Sequence, residues 1–106
     1  MRASWLILLV ILASGWTYEH TPEEIVAAVW ITEGSSKTKY PYGIRSIDTK
    51  GDKEYARIIC LNSVRNSRKR WEAAGRPGDW LEFFGRRYSP PKENPNWLPN
   101  MRKLLR

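Results

Sequence analysis

The alternation of hydrophobic and polar positions predicts four helices separated by short polar turns. The first helix is predicted to begin at Pro22 and to end near Glu33, because apolar residues recur there at helical spacing: Ile25, Ala28, Val29 and Thr32. Thr21 and Glu24 have the spacing of a capping box, with proline at the first helical position. Gly34 is suited to end this helix in the left-handed conformation.

Three further helices are predicted at residues 53–74, 80–88 and 97–105, with Asp52 and Asp79 as caps. In the long central helix the predicted buried stripe consists of Tyr55, Ile58, Ile59, Asn62, Val64 or Arg65, and Trp71, and the predicted solvated basic face consists of Arg65, Arg68, Lys69 and Arg70. Four tryptophans are assigned to the core: Trp30, Trp71, Trp80 and Trp97. Residues 40–48 read as a tight loop or as one or two short strands. The fold class is therefore mainly α, a single domain with a short loop or β-hairpin after the first helix.

The amino terminus has the layout of a secretory signal. Met1 and Arg2 precede the apolar run 5–13, which ends in the small residues Ala13-Ser14-Gly15. Residues 1–15 are therefore predicted to be a signal peptide, with an uncleaved amino-terminal anchor as the alternative, and residues 16–106 to be the domain. A helix needs roughly 20 apolar residues to span a bilayer, so this run predicts only transient membrane contact. The expected location is periplasmic or secreted.

Composition restricts the chemistry available to the domain. Cys60 is the only cysteine and His20 the only histidine, so no intramolecular disulfide, no Cys/His zinc cluster and no Ser-His-acid set is expected. We expect a buried thiol, no metal and no cofactor. The formal net charge of +7 suits an anionic polymer, which could be nucleic acid, a cell-wall glycan or a membrane surface. Export argues against nucleic acid.

Glu33 is the best candidate for a catalytic group. A carboxylate at the carboxyl end of a helix is disfavoured by the helix dipole, which tends to raise its pKa. An acid with a raised pKa can protonate a leaving glycosidic oxygen. The competing interpretation is a surface acid that ends a helix. Asp48 and Asp52 read as a turn residue and a helix cap, but a carboxylate about 5–9 Å from Glu33 would favour hydrolysis with two acids.

The residues around Glu33 resemble a known catalytic core. The run 27–34, AAVWITEG, followed by Tyr42-Gly43-Ile44, resembles the lysozyme-like lytic transglycosylases, in which a helix ends in a catalytic glutamate and a Gly-Leu-Met-Gln segment lines the cleft. Gly43 and Ile44 match the first two positions of that segment, while Arg45-Ser46 replaces Met-Gln. Weaker matches are Asn62 on the central helix, Tyr88 at the end of the third helix, and the segment 96–101.

This resemblance implies a lysozyme-like fold and a peptidoglycan lytic transglycosylase. Glu33 would act as the single acid/base on the β-1,4 bond between N-acetylmuramic acid and N-acetylglucosamine, giving 1,6-anhydromuramoyl products. Its substrate-binding residues would be Tyr40, Tyr42, Gly43, Ile44, Asn62 and Tyr88. The expected partner is the peptidoglycan glycan strand, and we expect a monomer. Three alternatives remain: a lysozyme-type muramidase, a non-catalytic basic module that binds cell wall or nucleic acid, and an inhibitor or assembly protein that keeps the lysozyme fold without its chemistry.

Overall fold

The computed structural model describes residues 18–106, and every regular element in that range is helical. The four helices are α1 (Pro22–Thr32), α2 (Lys53–Ala73), α3 (Trp80–Tyr88) and α4 (Trp97–Leu104). Two short 3-10 turns, Ser35–Lys37 and Pro41–Gly43, lie between α1 and α2. The prediction of a mainly α fold is confirmed, and the segment after α1 is a loop with no strand in the described range.

The prediction for the amino terminus concerns residues that the structure does not describe. Residues 1–15, predicted to be a signal peptide or anchor, lie outside the described residues. Within residues 18–106, no helix has the length and apolar character needed to cross a membrane.

The helix starts follow the caps expected from the sequence. The Glu24 backbone N–H donates to Thr21 Oγ1 at 3.1 Å, and the Thr21 N–H donates to Glu24 Oε1 at 3.0 Å, which completes the capping box of α1. Asp52 and Asp79 accept hydrogen bonds from backbone N–H groups in the first turns of α2 and α3. These side chains satisfy helix donors that would otherwise lack a partner.

Helix α2 runs through the centre of the domain and contacts α1, α3 and the Pro41–Gly43 turn, while α4 packs on α1 and α3. The core combines small residues of α2 with aromatic residues of α3 and α4. Its members are Ile25, Val26, Ala28, Val29, Tyr42, Ile44, Ala56, Cys60, Val64, Trp80, Phe84, Trp97 and Met101. Trp30 and Trp71 are partly buried against this core, so the assignment of four tryptophans to it is confirmed.

The predicted stripe on α2 is confirmed in part and wrong in part. Val64 is buried, and Ile59 and Trp71 are partly buried against the core, as predicted. The buried residues are Ala56, Cys60, Val64, Ser67 and Arg68. Tyr55 is 45% exposed, Ile58 is 42% exposed, and Asn62 is exposed. The large apolar side chains Tyr55 and Ile58 suggested a face that is partly exposed to solvent. The helix instead buries the short side chains of Ala56 and Cys60, which let the neighbouring helices approach α2 closely.

Arg68 is also not on a solvated face, contrary to the prediction. Its side chain is buried, with the guanidinium carbon 3.9 Å from the centre of the Tyr18 ring and 4.6 Å from that of a Trp80 ring. Arg68 Nη2 donates to the His20 carbonyl at 2.6 Å. The contacts of the Arg68 guanidinium with the two aromatic rings offset part of the free-energy cost of removing its charge from water. Through these contacts Arg68 also joins the segment before α1 to α2 and α3.

Candidate active site

Glu33 is the residue that directly follows α1 and caps its carboxyl end. Its backbone N–H donates to the Val29 carbonyl at 2.9 Å, and Gly34 then turns the chain with a φ of +106°. The predicted end of the helix is thereby confirmed. The Glu33 side chain is half-buried, and burial raises its pKa above the usual value for a glutamate.

Gly43 lies directly against the Glu33 carboxyl group. A Cβ atom at Gly43 would lie 2.6 Å from Glu33 Cδ and 2.8 Å from each carboxyl oxygen. Both Gly43, with a φ of +72°, and the preceding Tyr42, with a φ of +59°, are left-handed. Such a conformation costs a non-glycine residue about 1–3 kcal/mol and must be held by its surroundings.

Tyr88, the last residue of α3, holds this turn in place. Its hydroxyl donates a short hydrogen bond to the Tyr42 carbonyl, and the thiol of Cys60 lies within hydrogen-bonding reach of the same hydroxyl. Burial raises the pKa of Tyr88, and that of the buried Cys60 thiol to about 12, so both groups are neutral near pH 7. The negative charge of Glu33 raises both pKa values further, which means that the three groups share one environment.

Two side chains oppose the effect of burial on Glu33. The indole N–H of Trp97 lies close enough to the carboxylate to favour its charged form, and the positive charge of Arg45 attracts it. Both lower the pKa of Glu33, but by less than burial raises it. Trp97 Nε1 is buried and has no acceptor in good hydrogen-bond geometry among the described residues. The Trp97 N–H is therefore near the Glu33 carboxylate but poorly aligned with it. The sequence pattern placed Trp97 only in the core.

A groove of about 360 Å³ opens beside this group of residues. Glu33 does not line the groove. Its wall does include Arg45, which lowers the pKa of Glu33, and three residues in or next to the Pro41–Gly43 turn: Gly43, Ile44 and Tyr88. The rest of the wall comes from the loop, α2 and α3: Ser46, Ile47, Ile59, Ser63, Asn66, Arg70, Phe84 and Arg87. Of the Glu33–Gly43 pair, Gly43 is the member that lines the groove.

The remaining predicted binding residues lie apart from the groove. Tyr42 is buried, and its ring packs on Trp30 with 5.0 Å between centroids, so only its backbone carbonyl takes part in the site. Tyr40 is half-exposed beneath the guanidinium of Arg45, 4.8 Å from its ring centre. Asn62 is exposed on α2 and does not line the groove; Asn66, one helical turn further on, does.

The two acids that could assist Glu33 have other partners. Asp48 Oδ1 accepts from the Lys50 N–H at 2.9 Å, and Asp52 Oδ1 accepts from the Tyr55 N–H at 3.1 Å, which confirms their assignment as turn and cap residues. Neither acid is among the groups that shift the pKa of Glu33. In residues 18–106, no three His, Cys, Asp or Glu side chains are grouped so that they could hold a metal ion.

A second cavity, of about 470 Å³, lies near the other end of α1. It is lined by Tyr18, Ile25, Arg68, Trp71 and Trp80, among others, and contains none of the predicted site residues. Ile25 precedes Glu33 by eight residues, which corresponds to about 12 Å along a helix. The two cavities are therefore separate features of the surface.

Comparison with known proteins gives no relative for this chain. No family model, no curated protein and no solved structure matches it.

Proposed function

We propose that this protein is a lysozyme-like peptidoglycan lytic transglycosylase in which Glu33 is the only catalytic acid/base. The observation that carries the proposal is the half-buried Glu33 carboxyl group, whose pKa is raised by burial and which packs on Gly43 at the edge of the groove. A carboxylic acid whose pKa is raised by burial can donate its proton to a leaving oxygen.

The proposed reaction uses Glu33 twice. As an acid it protonates the oxygen of the β-1,4 bond between N-acetylmuramic acid and N-acetylglucosamine. As a carboxylate it then removes the proton of the muramoyl 6-hydroxyl, which attacks C1 and closes the 1,6-anhydro ring. The proton balance closes, because the proton that Glu33 donates is replaced by the one it accepts. No water is consumed.

Trp97 and Arg45 suit the second half of this cycle. Both lower the pKa of Glu33, so both stabilise the carboxylate that forms once the proton has been transferred. Burial favours the acid form before the transfer, and the neighbouring donor and cation favour the base afterwards. A residue that acts first as an acid and then as a base needs both influences, because each protonation state must be reached in turn.

We favour the lytic reaction over hydrolysis because of the partners of Asp48 and Asp52. A hydrolase of the lysozyme type needs a second carboxylate near the first. Asp48 and Asp52 are engaged with backbone N–H groups, and the pKa of Glu33 responds to a cation and an indole donor. The proposal includes export, with residues 1–15 as the signal, because the substrate lies outside the cytoplasmic membrane.

The test compares the protein with a Glu33→Gln variant on purified peptidoglycan sacculi. Mass spectrometry of the released muropeptides distinguishes anhydro products from reducing-end products, which are heavier by one water. We expect anhydro products from the protein and a loss of about 10²–10⁴-fold in the variant, the usual contribution of an acid/base group. Glu93→Gln, which changes an exposed carboxylate in the loop after α3, is the matched control and should retain activity.

The other outcomes decide between the alternatives. Reducing-end products would make the protein a muramidase. If neither the protein nor the Glu93 control releases any muropeptide, the enzyme proposal is wrong and a binding module is favoured.

A further inference from the structure

Three arginines and no acid are found among the described residues that line the groove beside Glu33. Arg45 comes from the loop after the Pro41–Gly43 turn, Arg70 from the carboxyl end of α2, and Arg87 from α3. Neither aspartate nor glutamate is among the residues that line the groove. The chain therefore brings three positive charges from distant positions in sequence to one surface of the domain.

Among the described residues, these three arginines differ from four others in their ion pairs. Arg57, Arg76, Arg86 and Arg102 each pair with an aspartate or glutamate within 4.0 Å. No ion pair among the described residues includes Arg45, Arg70 or Arg87. Arg70 and Arg87 are therefore available to a ligand, and Arg45 also attracts the Glu33 carboxylate.

The rest of the groove is suited to a ligand with both polar and apolar parts. Ser63 and Asn66 supply hydrogen-bonding groups along α2, while Ile47 and Ile59 supply apolar contacts. Arginine binds a carboxylate through two parallel N–H···O bonds, which an uncharged sugar cannot match. A glycan backbone by itself does not explain three unpaired guanidinium groups.

We propose that Arg45, Arg70 and Arg87 form a carboxylate-binding site for the peptide stems of peptidoglycan, so that the groove selects strands whose stems carry free carboxylates. This inference rests on the proposed function, since it names the part of the same substrate that the groove recognises. The stem lies along Ser63, Asn66 and Ile59 while the glycan passes Gly43 and Glu33. Arg45 then has two roles, because it also stabilises the Glu33 carboxylate.

The test measures binding directly, in the full chain carrying Glu33→Gln so that no ligand is cleaved. Three ligands are compared at low salt by isothermal titration calorimetry: glycan strands with free stem carboxylates, the same strands after amidation of those carboxylates, and strands stripped of their stems. Arg70→Gln, Arg87→Gln and the double variant are compared with Arg65→Gln, an exposed arginine of α2 that does not line the groove.

We expect the free-carboxylate strands to bind most tightly. Each groove variant should weaken that binding about two- to fivefold, as for exposed ion pairs, and the double variant, which keeps Arg45, should lose most of the preference. The Arg65 control should keep the preference. Equal binding of all three ligands by the parent protein, or an unchanged preference in the double variant, would overturn the inference.

The muropeptide assay and the binding assay together keep this inference separate from the proposed function. If Glu33-dependent anhydro products appear but the carboxylate preference does not, only the arginine site is wrong. If the preference appears without any cleavage, the transglycosylase proposal fails while the binding site stands. A single-stranded oligonucleotide that binds more tightly than any strand, with a loss in the double variant, would assign the arginines to nucleic acid and overturn the inference.

Discussion

The absence of a side chain at Gly43 makes the space that the Glu33 carboxyl group occupies. A methyl group at position 43 would lie 2.6 Å from Glu33 Cδ, well inside van der Waals contact. Glu33 ends one helix and Gly43 ends a 3-10 turn ten positions later, so their contact depends on how the intervening loop folds back. The space for the Glu33 carboxyl group thus depends on the missing Cβ atom of a glycine in another segment.

Replacing Gly43 with alanine should remove activity while the domain still folds. The left-handed φ of +72° would cost an alanine about 1–2 kcal/mol, and the new methyl group would also displace the Glu33 carboxyl group. A displacement of about 1 Å can lower a rate by about 10²-fold. The measurements are muropeptide release from sacculi and the urea midpoint of unfolding.

Gly51→Ala is the matched control for this substitution. Gly51 has nearly the same φ, +74°, but no heavy atom of residues 18–106 lies within 4 Å of the position its Cβ would take. It should therefore lose similar stability and keep its activity per folded molecule. Equal activity losses in the two variants would mean that backbone strain, and not the contact with Glu33, explains the Gly43 result.

Glu33→Gln should make the protein more stable than the wild type near pH 7. Burial raises the folded-state pKa of Glu33 above its unfolded value, so the folded state binds the proton more tightly. The stability associated with that proton is fully present below the unfolded pKa and is lost as the pH rises through the folded pKa. The difference between variant and wild type should therefore grow with rising pH, measured as urea midpoints from about pH 4 to 8.

Glu54→Gln provides a control of opposite sign. A hydrogen bond and ion pair with Arg57 lower the pKa of Glu54, so its contribution to stability is present above the unfolded pKa and is lost as the pH falls. Its variant should be less stable than the wild type at higher pH, and the difference should shrink as the pH falls. Parallel pH profiles for the two variants would contradict the assignment of a raised pKa to Glu33.

Tyr88→Phe should lower both stability and activity. It removes the hydrogen bond to the Tyr42 carbonyl, and leaving that acceptor without a partner should cost about 1–3 kcal/mol. The Pro41–Gly43 turn would then hold Gly43 less firmly against Glu33. Urea unfolding and activity are compared with Tyr55→Phe, a change at a tyrosine of α2 that is 45% exposed and should have little effect. Full activity in a destabilised Tyr88 variant would separate this tyrosine from the site.

Arg68→Met should destabilise the domain without altering the chemistry of the folded protein. It removes the guanidinium group from between the Tyr18 and Trp80 rings, together with its hydrogen bond to the His20 carbonyl. We expect a loss of about 2–4 kcal/mol, from two desolvated cation–π contacts and one charged hydrogen bond. Lys69→Met, an exposed neighbour, is the control. Wild-type stability in the Arg68 variant would show that the stacked arrangement contributes nothing.

Much of the helical framework follows from short-range patterns in the sequence. The capping box at Thr21, the caps Asp52 and Asp79, and the left-handed Gly34 depend on residues within three or four positions of one another. Their chemistry is therefore visible in the sequence, and the helix bounds agree with the prediction to within one residue. Glu33 could be singled out for the same reason, since an acid at the carboxyl end of a helix conflicts with the local dipole.

The buried face of α2 could not be read in the same way. Large apolar side chains such as Ile58 suggested one face, whereas the helix buries small residues and Arg68. Which face is buried depends on the shapes of the neighbouring helices, and the burial of an arginine depends on two aromatic rings that are far away in sequence. The hydrophobic pattern of the sequence therefore predicts neither the buried face of α2 nor the burial of Arg68.

The sequence by itself thus determined the number, order and ends of the helices and named a single candidate acid, because capping and periodicity act within a few residues. Only the tertiary structure decided what surrounds that acid. The contact with Gly43, the indole of Trp97 and the three groove arginines come from segments brought together by packing. A pKa and a charged groove depend on distances through space, which spacing along the chain does not specify.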